Sequence, residues 1–369
     1  MIQMKQLTLY HLSMWLKKPF TSSLETFQER KFIIIEAKDK DGVTGWGEVS
    51  AFSSPWYTEE TTETCYHMLK DFFIPAVLRE SFTHPSDIPE KLRGFKGNRM
   101  AKAGLEAAFW DIYAQKNGIT LSEALGGVKT EVPAGVVVGL APLDDMLREI
   151  DQYVKEGYQR IKLKIQPGQD IGLLKEIRRH FPRVPLMADA NSSYDIKDIS
   201  RIKSLDEFNL MMIEQPLADD DIVDHRHLQK HIKTSICLDE SIRSADDARK
   251  AIELGSCKII NIKPSRVGGL TEALKIHDLC KQHNMPVWCG GMFETGISRA
   301  HNIALSSLPQ FVIPGDISSS SRYWEEDIVK PEIRIKDGFI QVPDRPGMGF
   351  EVDGNILRKH SFKMDVFRP

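Results

Sequence analysis

Residues 160–191, RIKLKIQPGQDIGLLKEIRRHFPRVPLMADAN, open with a short β-rich run, continue as a helical stretch and close on a second β-rich run. Strand, helix and strand at this spacing form a βαβ unit, whose two strands lie parallel in one sheet. Lys164 and Asp189 stand near the C-terminal ends of the two runs, 25 residues apart. A charge inside an apolar strand is costly unless it meets a partner.

The spacing continues. Asp189 to Glu214 is 25, Glu214 to Asp239 is 25, and Asp239 to Lys263 is 24; a further 25 reaches Trp288 and then Ile313. The runs VPAGVVVGL, RIKLKI, PLMADAN, LMMIEQP, SICLDE, CKIINIKP, MPVWCGG and FVIPGDI make eight strands, with helical segments such as PLDDMLREIDQYVKEG and GGLTEALKIHDLCKQHN between them. Eight parallel strands with intervening helices close most simply into a TIM-type (β/α) barrel, an α/β fold. Five charged residues, one per unit, then converge on one mouth of that barrel, where such folds carry their chemistry. The competing reading, strand ends scattered in solvent, gives no reason for so even a repeat.

Outward from this repeat the period is lost. MKQLTLYHLSM, KFIIIEAKD and VTGWGEVS read as antiparallel strands, with DKDG as a turn between the last two. TEETTETCYHMLKDFFIPAV and NRMAKAGLEAAFWDIYAQKNG read as amphipathic helices, the second ended by Gly118. The expected division is an α+β capping domain over 1–125 and a barrel over 126–326. The tail, 327–369, is expected to return to the capping domain, with a hairpin signal at Lys336-Asp337-Gly338 in IRIKDGFIQV.

The 369 residues suit two domains, and 41% hydrophobic with 27% charged residues suits a well-buried core. Forty-nine Lys and Arg against 52 Asp and Glu give 49 − 52 = −3, no excess for nucleic acid or an anionic membrane. The first twenty residues have no apolar core followed by a small-residue cleavage site, so no signal peptide is expected there. The stretch 133–143, uncharged but broken by Gly and Pro, is too short to span a membrane. The five cysteines are odd in number and hold no CxxC, so buried free thiols in a reducing cytoplasm are expected.

Asp189, Glu214 and Asp239 on successive strands would repel one another without a cation. Oxygen donors without convergent His or Cys favour Mg²⁺ over Zn²⁺. The alternative is that one or more of them pairs with Arg or Lys. Asn191 faces the same side as Asp189 and is a candidate support for metal or substrate; Glu240 points the other way and has at most a supporting role. Lys162 and Lys164 share one face of their strand, and Lys263 stands across the barrel. A lysine beside a dication and a second ammonium has its pKa pushed down, which suits it to act as a base. Lysines on either side of a metal-held carboxylate reach the α-carbon from one face each, and the metal stabilises the developing enediolate.

Other motifs point less far. His225, His227 and His231 lie on a helix away from the strand ends and read as a solvated face. GGMFETG, with Gly291 and Met292, lacks the P-loop lysine and is a candidate substrate loop. SSSSRYW, near Ser318 and Arg322, either binds an anion or caps a turn.

The motifs K-L-K at 162–164, D-A-N at 189–191, E-Q-P at 214–216, D-E-S at 239–241 and N-I-K-P at 261–264 resemble the enolase superfamily, muconate-lactonizing subgroup. CGGMFETGISRA from Cys289, PGDISSSSRYW from Pro314 and GWGEVSAFSSPWYTEET from Gly45 resemble the branch of o-succinylbenzoate synthases and N-succinylamino acid racemases. The resemblance implies Asp189, Glu214 and Asp239 as Mg²⁺ ligands and Lys164 and Lys263 as the acid/base pair. It implies a small carboxylate substrate, either 2-succinyl-6-hydroxy-2,4-cyclohexadiene-1-carboxylate dehydrated for menaquinone synthesis, or an N-succinylamino acid racemised by the same lysines. It further implies capping-domain loops near Phe20–Glu25 and Phe52–Tyr57 over the substrate, and a homo-oligomer. A non-catalytic metal-binding scaffold is the third reading, and it leaves the two lysines unexplained.

Overall fold

A computed structural model of the chain describes residues 1–21 and 25–369. Three long antiparallel strands, β1 (Ile2–Thr21), β2 (Thr26–Asp39) and β3 (Thr44–Val49), open the chain. The DKDG turn closes β2 onto β3 because Asp39 Oδ1 accepts the amides of Asp41 and Val43, while Gly42 takes φ +89°. Helix α1 (Arg99–Lys116) lies across β3 so closely that a Cβ on Gly47 would stand 2.0 Å from the carbonyl of Gly104.

The second half forms one parallel sheet of seven strands in chain order. They are β4 (Gly135–Val138), β5 (Arg160–Lys164), β6 (Leu186–Asp189), β7 (Ile213–Glu214), β8 (Ile236–Leu238), β9 (Ile259–Ile262) and β10 (Val287–Cys289). The eighth expected strand is irregular. Residues 311–316 make single parallel bridges, Phe311 to Val287 and Gly315 to Ala134, and so join β10 back to the start of the barrel. Pro314 has no N–H, so this run cannot form a full ladder.

Alternation along each strand sorts the side chains. Ile161, Leu163, Leu186, Ala188, Ile213, Leu238 and Ile260 join the apolar layer under the helices. Met187, Met212, Cys237, Ile259 and Trp288 form a separate plug inside the barrel. One step further along the same inner face come Asp189, Glu214, Asp239 and Asn261. From Lys164 to Asp239 the 25-residue period is therefore one inner rung of the barrel, with Lys164 beside Asp189 and Asp189 beside Glu214 in register, while Lys263 stands one inward step beyond Asn261.

The tail returns in two places. Phe339–Gln341 pairs with Glu131–Pro133 at the start of the barrel, so the IRIKDGFIQV hairpin signal does not lead into the N-terminal sheet. Strand β11 (Ser361–Phe367) pairs antiparallel with β1 and completes that sheet.

Two buried carboxylates from the N-terminal part cap barrel helices. Glu48 on β3 accepts the amides of Thr295 and Ser298 and the Thr295 hydroxyl, at the start of the helix Gly296–Ser306. Glu106 on α1 accepts the Thr271 amide at the start of the helix Leu270–Gln282. Gly269, at φ +130°, makes room, since a Cβ there would lie 1.7 Å from Glu106 Oε2. Such caps satisfy free N–H groups at helix starts. Burial nevertheless pushes each carboxyl up to about 7. A raised carboxyl pKa contributes stability below the ordinary carboxylate range and loses it as pH rises through 7. Denaturant unfolding should therefore show stability falling between the ordinary carboxylate value of 4.5 and about pH 7, by roughly 3 kcal/mol for each group. Glu48→Gln should flatten that dependence; an unchanged pH profile in the variant would contradict the assignment.

Candidate active site

The inner rung places its charges in direct contact. Lys164 Nζ donates to Asp189 Oδ2 at 2.7 Å and to Asn191 Oδ1 at 2.6 Å. Lys162 Nζ stands 3.4 Å from Asp189 Oδ2, 3.1 Å from Glu214 Oε2 and 2.5 Å from Asp316 Oδ2. Arg160 pairs with the other oxygen of Asp316 at 2.8 Å. Across the barrel, Lys263 Nζ donates to Asp239 Oδ2 at 2.8 Å and to the Tyr57 hydroxyl at 2.9 Å, and Tyr57 donates to Asp239 Oδ1 at 3.0 Å. Arg266 also pairs with Asp239 Oδ1. Asn261 donates to Glu214 Oε1 at 2.8 Å, and Asn191 donates to Glu240 Oε1 at 3.0 Å. All of these side chains are buried except Tyr57 and Asp316, which are half-buried.

The titration directions follow from burial set against partners. Burial, then Asp189, raises Glu214 well above the ordinary carboxylate range. Burial, then Asp239 and Asp189, pushes Glu240 up to about 8. Burial would raise Asp239 as well, but Lys263 and Arg266 more than offset it and hold it low. Burial lowers Lys263, yet Asp239, Tyr57 and Glu214 raise it well above an ordinary lysine. This is the reverse of the lowering expected beside a dication, because the nearest groups to Lys263 are a carboxylate and a phenol.

A cavity sits above this layer. Lys162, Lys164, Asp189, Asn191 and Lys263 form its floor and sides, with Asp316, Gly291 and Met292. Phe20, Phe52, Trp56, Tyr57 and Phe293 enclose it. Phe20 packs on Phe293 with centroids 4.5 Å apart. Of the expected loop Phe20–Glu25, residues 22–24 lie outside the described residues. The expected site residues thus meet here, with Glu214 and Asp239 just beneath; Glu240, expected to point the other way, is buried beside the same layer and attached to it through Asn191, because the strand has ended before it. Two do not join them. Arg322 donates to Tyr153, Tyr323 and the carbonyl of Val137, and lines a separate cleft that shares Phe20 and Phe293 with the cavity. Ser318 is buried, its hydroxyl without a hydrogen-bond partner. His225 is not on a solvated face: it is buried and accepts the Leu217 amide, whereas His227 and His231 are exposed.

Sequence reasoning missed Asn261, Arg266, Asp316 and Trp56. Asn261 had a signal, being two residues before Lys263 and so on the same strand face. Asp316 falls three residues beyond the position the period reaches, because the eighth strand is irregular. Trp56 lines the cavity with its buried indole N–H unpartnered, a donor open to a ligand.

The donor chemistry fits a hard cation. Three carboxylates from adjacent strands line one rung, and a positive charge, Lys162 Nζ, already stands between Asp189 and Glu214. As arranged, each carboxylate is engaged by a protein cation, and among the described residues no group of three His, Cys, Asp or Glu is set to hold a metal ion. The alternative pairing with lysine and arginine is thus present in this arrangement. A metal would replace ammonium contacts of the same oxygens.

Comparison with known proteins agrees with this architecture. Residues 145–356 match the family described as "Enolase C-terminal domain-like", and residues 5–126 match "Mandelate racemase / muconate lactonizing enzyme, N-terminal domain". The chain belongs to the enolase superfamily, whose enzymes use a divalent metal. Within it, the chain is 74% identical over 367 residues to o-succinylbenzoate synthase of Bacillus subtilis (strain 168), covering 100% of this chain and 99% of the relative. It is 46% identical to N-succinylamino acid racemase of Thermus thermophilus, covering 87% and 88%. A crystal structure from Listeria innocua, described as a member of the enolase superfamily, is 41% identical with a TM-score of 0.96 over 100% of both chains. Among the described residues no helix is long and apolar enough to cross a membrane.

Asp316 holds two buried cations, Arg160 and Lys162. Removing one partner of a buried ion pair typically costs about 3–5 kcal/mol. Asp316→Asn should therefore lower unfolding free energy by roughly that amount, read by denaturant titration; a loss under about 1 kcal/mol would show that the cations are satisfied without it.

Proposed function

We propose that this enzyme dehydrates 2-succinyl-6-hydroxy-2,4-cyclohexadiene-1-carboxylate to o-succinylbenzoate, a lyase reaction of menaquinone biosynthesis. The observation that carries the reading is the pair Lys164 and Lys263. They stand on β5 and just past β9, face one cavity from opposite sides and rest on the same carboxylate layer. The 74% identity over the whole chain supports the substrate assignment.

Asp189, Glu214 and Asp239 are the groups that would hold Mg²⁺. Bound there, the ion supplies the positive charge that makes the proton beside a carboxylate removable. Lys164 takes that α-proton and then gives it to the hydroxyl departing from the same side, so that the C–O bond breaks with loss of water and the free amine is restored. Lys263 keeps its ammonium on the other side of the ring, where its charge favours the enediolate. Tyr57 and Asp239 fix the position of that ammonium. Asn191 does the same for Lys164, and Lys162 neutralises the inner carboxylates. Phe20, Phe52 and Trp56 exclude water, and the backbone at Gly291 and Met292 forms the facing wall. The enclosure strengthens each of these interactions.

A second reading, racemisation of N-succinylamino acids, has its own observation: Lys263 is placed to serve the opposite face as directly as Lys164 serves its own. The two substrates share a succinyl group and the same first proton transfer. The same reading carries an assembly of identical subunits, which sedimentation of the purified chain decides, and a reducing compartment, in keeping with five free, buried cysteines.

Steady-state assay of both substrates tests the reading. Dehydration should be abolished by chelation and restored by Mg²⁺. Lys164→Ala should lose it outright, and Lys263→Ala should be slowed about 10²–10³-fold, as for loss of one charge-stabilising donor. Full activity after chelation, or dehydration surviving in Lys164→Ala, would overturn it.

A further inference from the structure

Arg30, on β2, is 1% exposed. Its hydrogen-bond partners are carbonyl oxygens. Nη2 donates to Ser50 O at 2.9 Å and to Met292 O at 3.2 Å, and Nη1 donates to Ala51 O at 3.3 Å. The guanidinium lies 4.0 Å from the Phe52 ring centroid and 4.8 Å from that of Phe32. Burial pulls its pKa down to about 10, against the pull of Glu48 and Glu294. A cation kept in so dry a place costs stability unless its geometry is useful.

Its partners belong to two different walls of the cavity. Ser50 and Ala51 lead into Phe52, Trp56 and Tyr57, which cover the site from the N-terminal part. Met292 lies between Gly291 and Phe293 on the barrel side. A planar fork of donors can hold two backbones at a fixed spacing, which a lysine's single nitrogen cannot reproduce. We propose that Arg30 is a positioning residue: it clamps the covering segment 50–57 to the barrel segment 291–293 and so sets the width of the pocket that receives the succinyl-bearing substrate. This rests on the dehydration reading for the substrate, though not for the clamp itself.

Arg30 touches neither lysine nor any inner carboxylate. Tyr57 keeps its own hydrogen bonds to Lys263 and Asp239. The clamp therefore governs binding more than the chemical step. In Arg30→Met, assayed well below its melting temperature, KM should rise about tenfold while kcat changes by less than about threefold. Mg²⁺ affinity should be unchanged. Amide hydrogen exchange should rise together in 50–57 and 291–293 and stay unchanged in the helix Gly296–Ser306. Arg30→Lys should show the same pattern to a smaller degree, and it decides the matter where Arg30→Met does not fold. Wild-type KM with wild-type exchange in the folded variant, or exchange rising uniformly over the chain, would overturn the clamp. Absence of dehydration by the wild-type enzyme would instead overturn the substrate reading, with the exchange result still judging the clamp.

Discussion

Inside the barrel, four buried carboxylates, Asp189, Glu214, Asp239 and Glu240, and the half-buried Asp316 stand with five buried cations, Arg160, Lys162, Lys164, Lys263 and Arg266. None of these charges is tolerable alone in such surroundings, and each is held by at least one opposite charge or amide. Alternation along the strands turns Arg160, Lys162, Lys164, Asp189 and Glu214 inward, and Asp239, Glu240, Lys263, Arg266 and Asp316 join the same layer from segments just past the strand ends. A dication and a substrate with two carboxylates add no net charge to that set. Both candidate substrates carry a carboxylate on the succinyl arm and another beside the proton to be removed.

Closure of the site depends on the N-terminal part. Glu48 and Glu106 seat that part on two barrel helices by capping their first turns, and Arg30 holds its covering segment to the wall opposite. The caps fix the two halves of the molecule relative to each other, and the guanidinium fixes the walls of the pocket. Pocket shape thus originates in contacts far apart in the sequence, while the reacting groups originate in a local repeat.

That division explains what could be read from the residues. The period marked Lys164, Asp189, Glu214 and Asp239 because each βα unit repeats the same path and returns the chain to the same rung; Asn261 continues that rung, and Lys263 stands one inward step beyond it. It missed Asp316, since Pro314 breaks the eighth strand and shifts the inward position by three residues. Arg322 and Ser318 follow the right strand, yet they turn into a separate cleft and a buried loop. Arg30, Glu48 and Glu106 carry no local signal: a charged residue in a β-strand or helix reveals its partner only once distant segments meet. The carboxylate–lysine contacts, offered at first as the alternative to a metal site, turn out to describe the same rung.

In the proposed mechanism Lys164 and Lys263 serve opposite faces of one carbon. Hydrogen exchange at the α-carbon of an N-succinylamino acid in deuterated water tests it most directly. Lys263→Ala should exchange the α-proton of one enantiomer only, and Lys164→Ala that of the other only, with neither variant racemising. Exchange of the same enantiomer by both variants would contradict the two-face geometry.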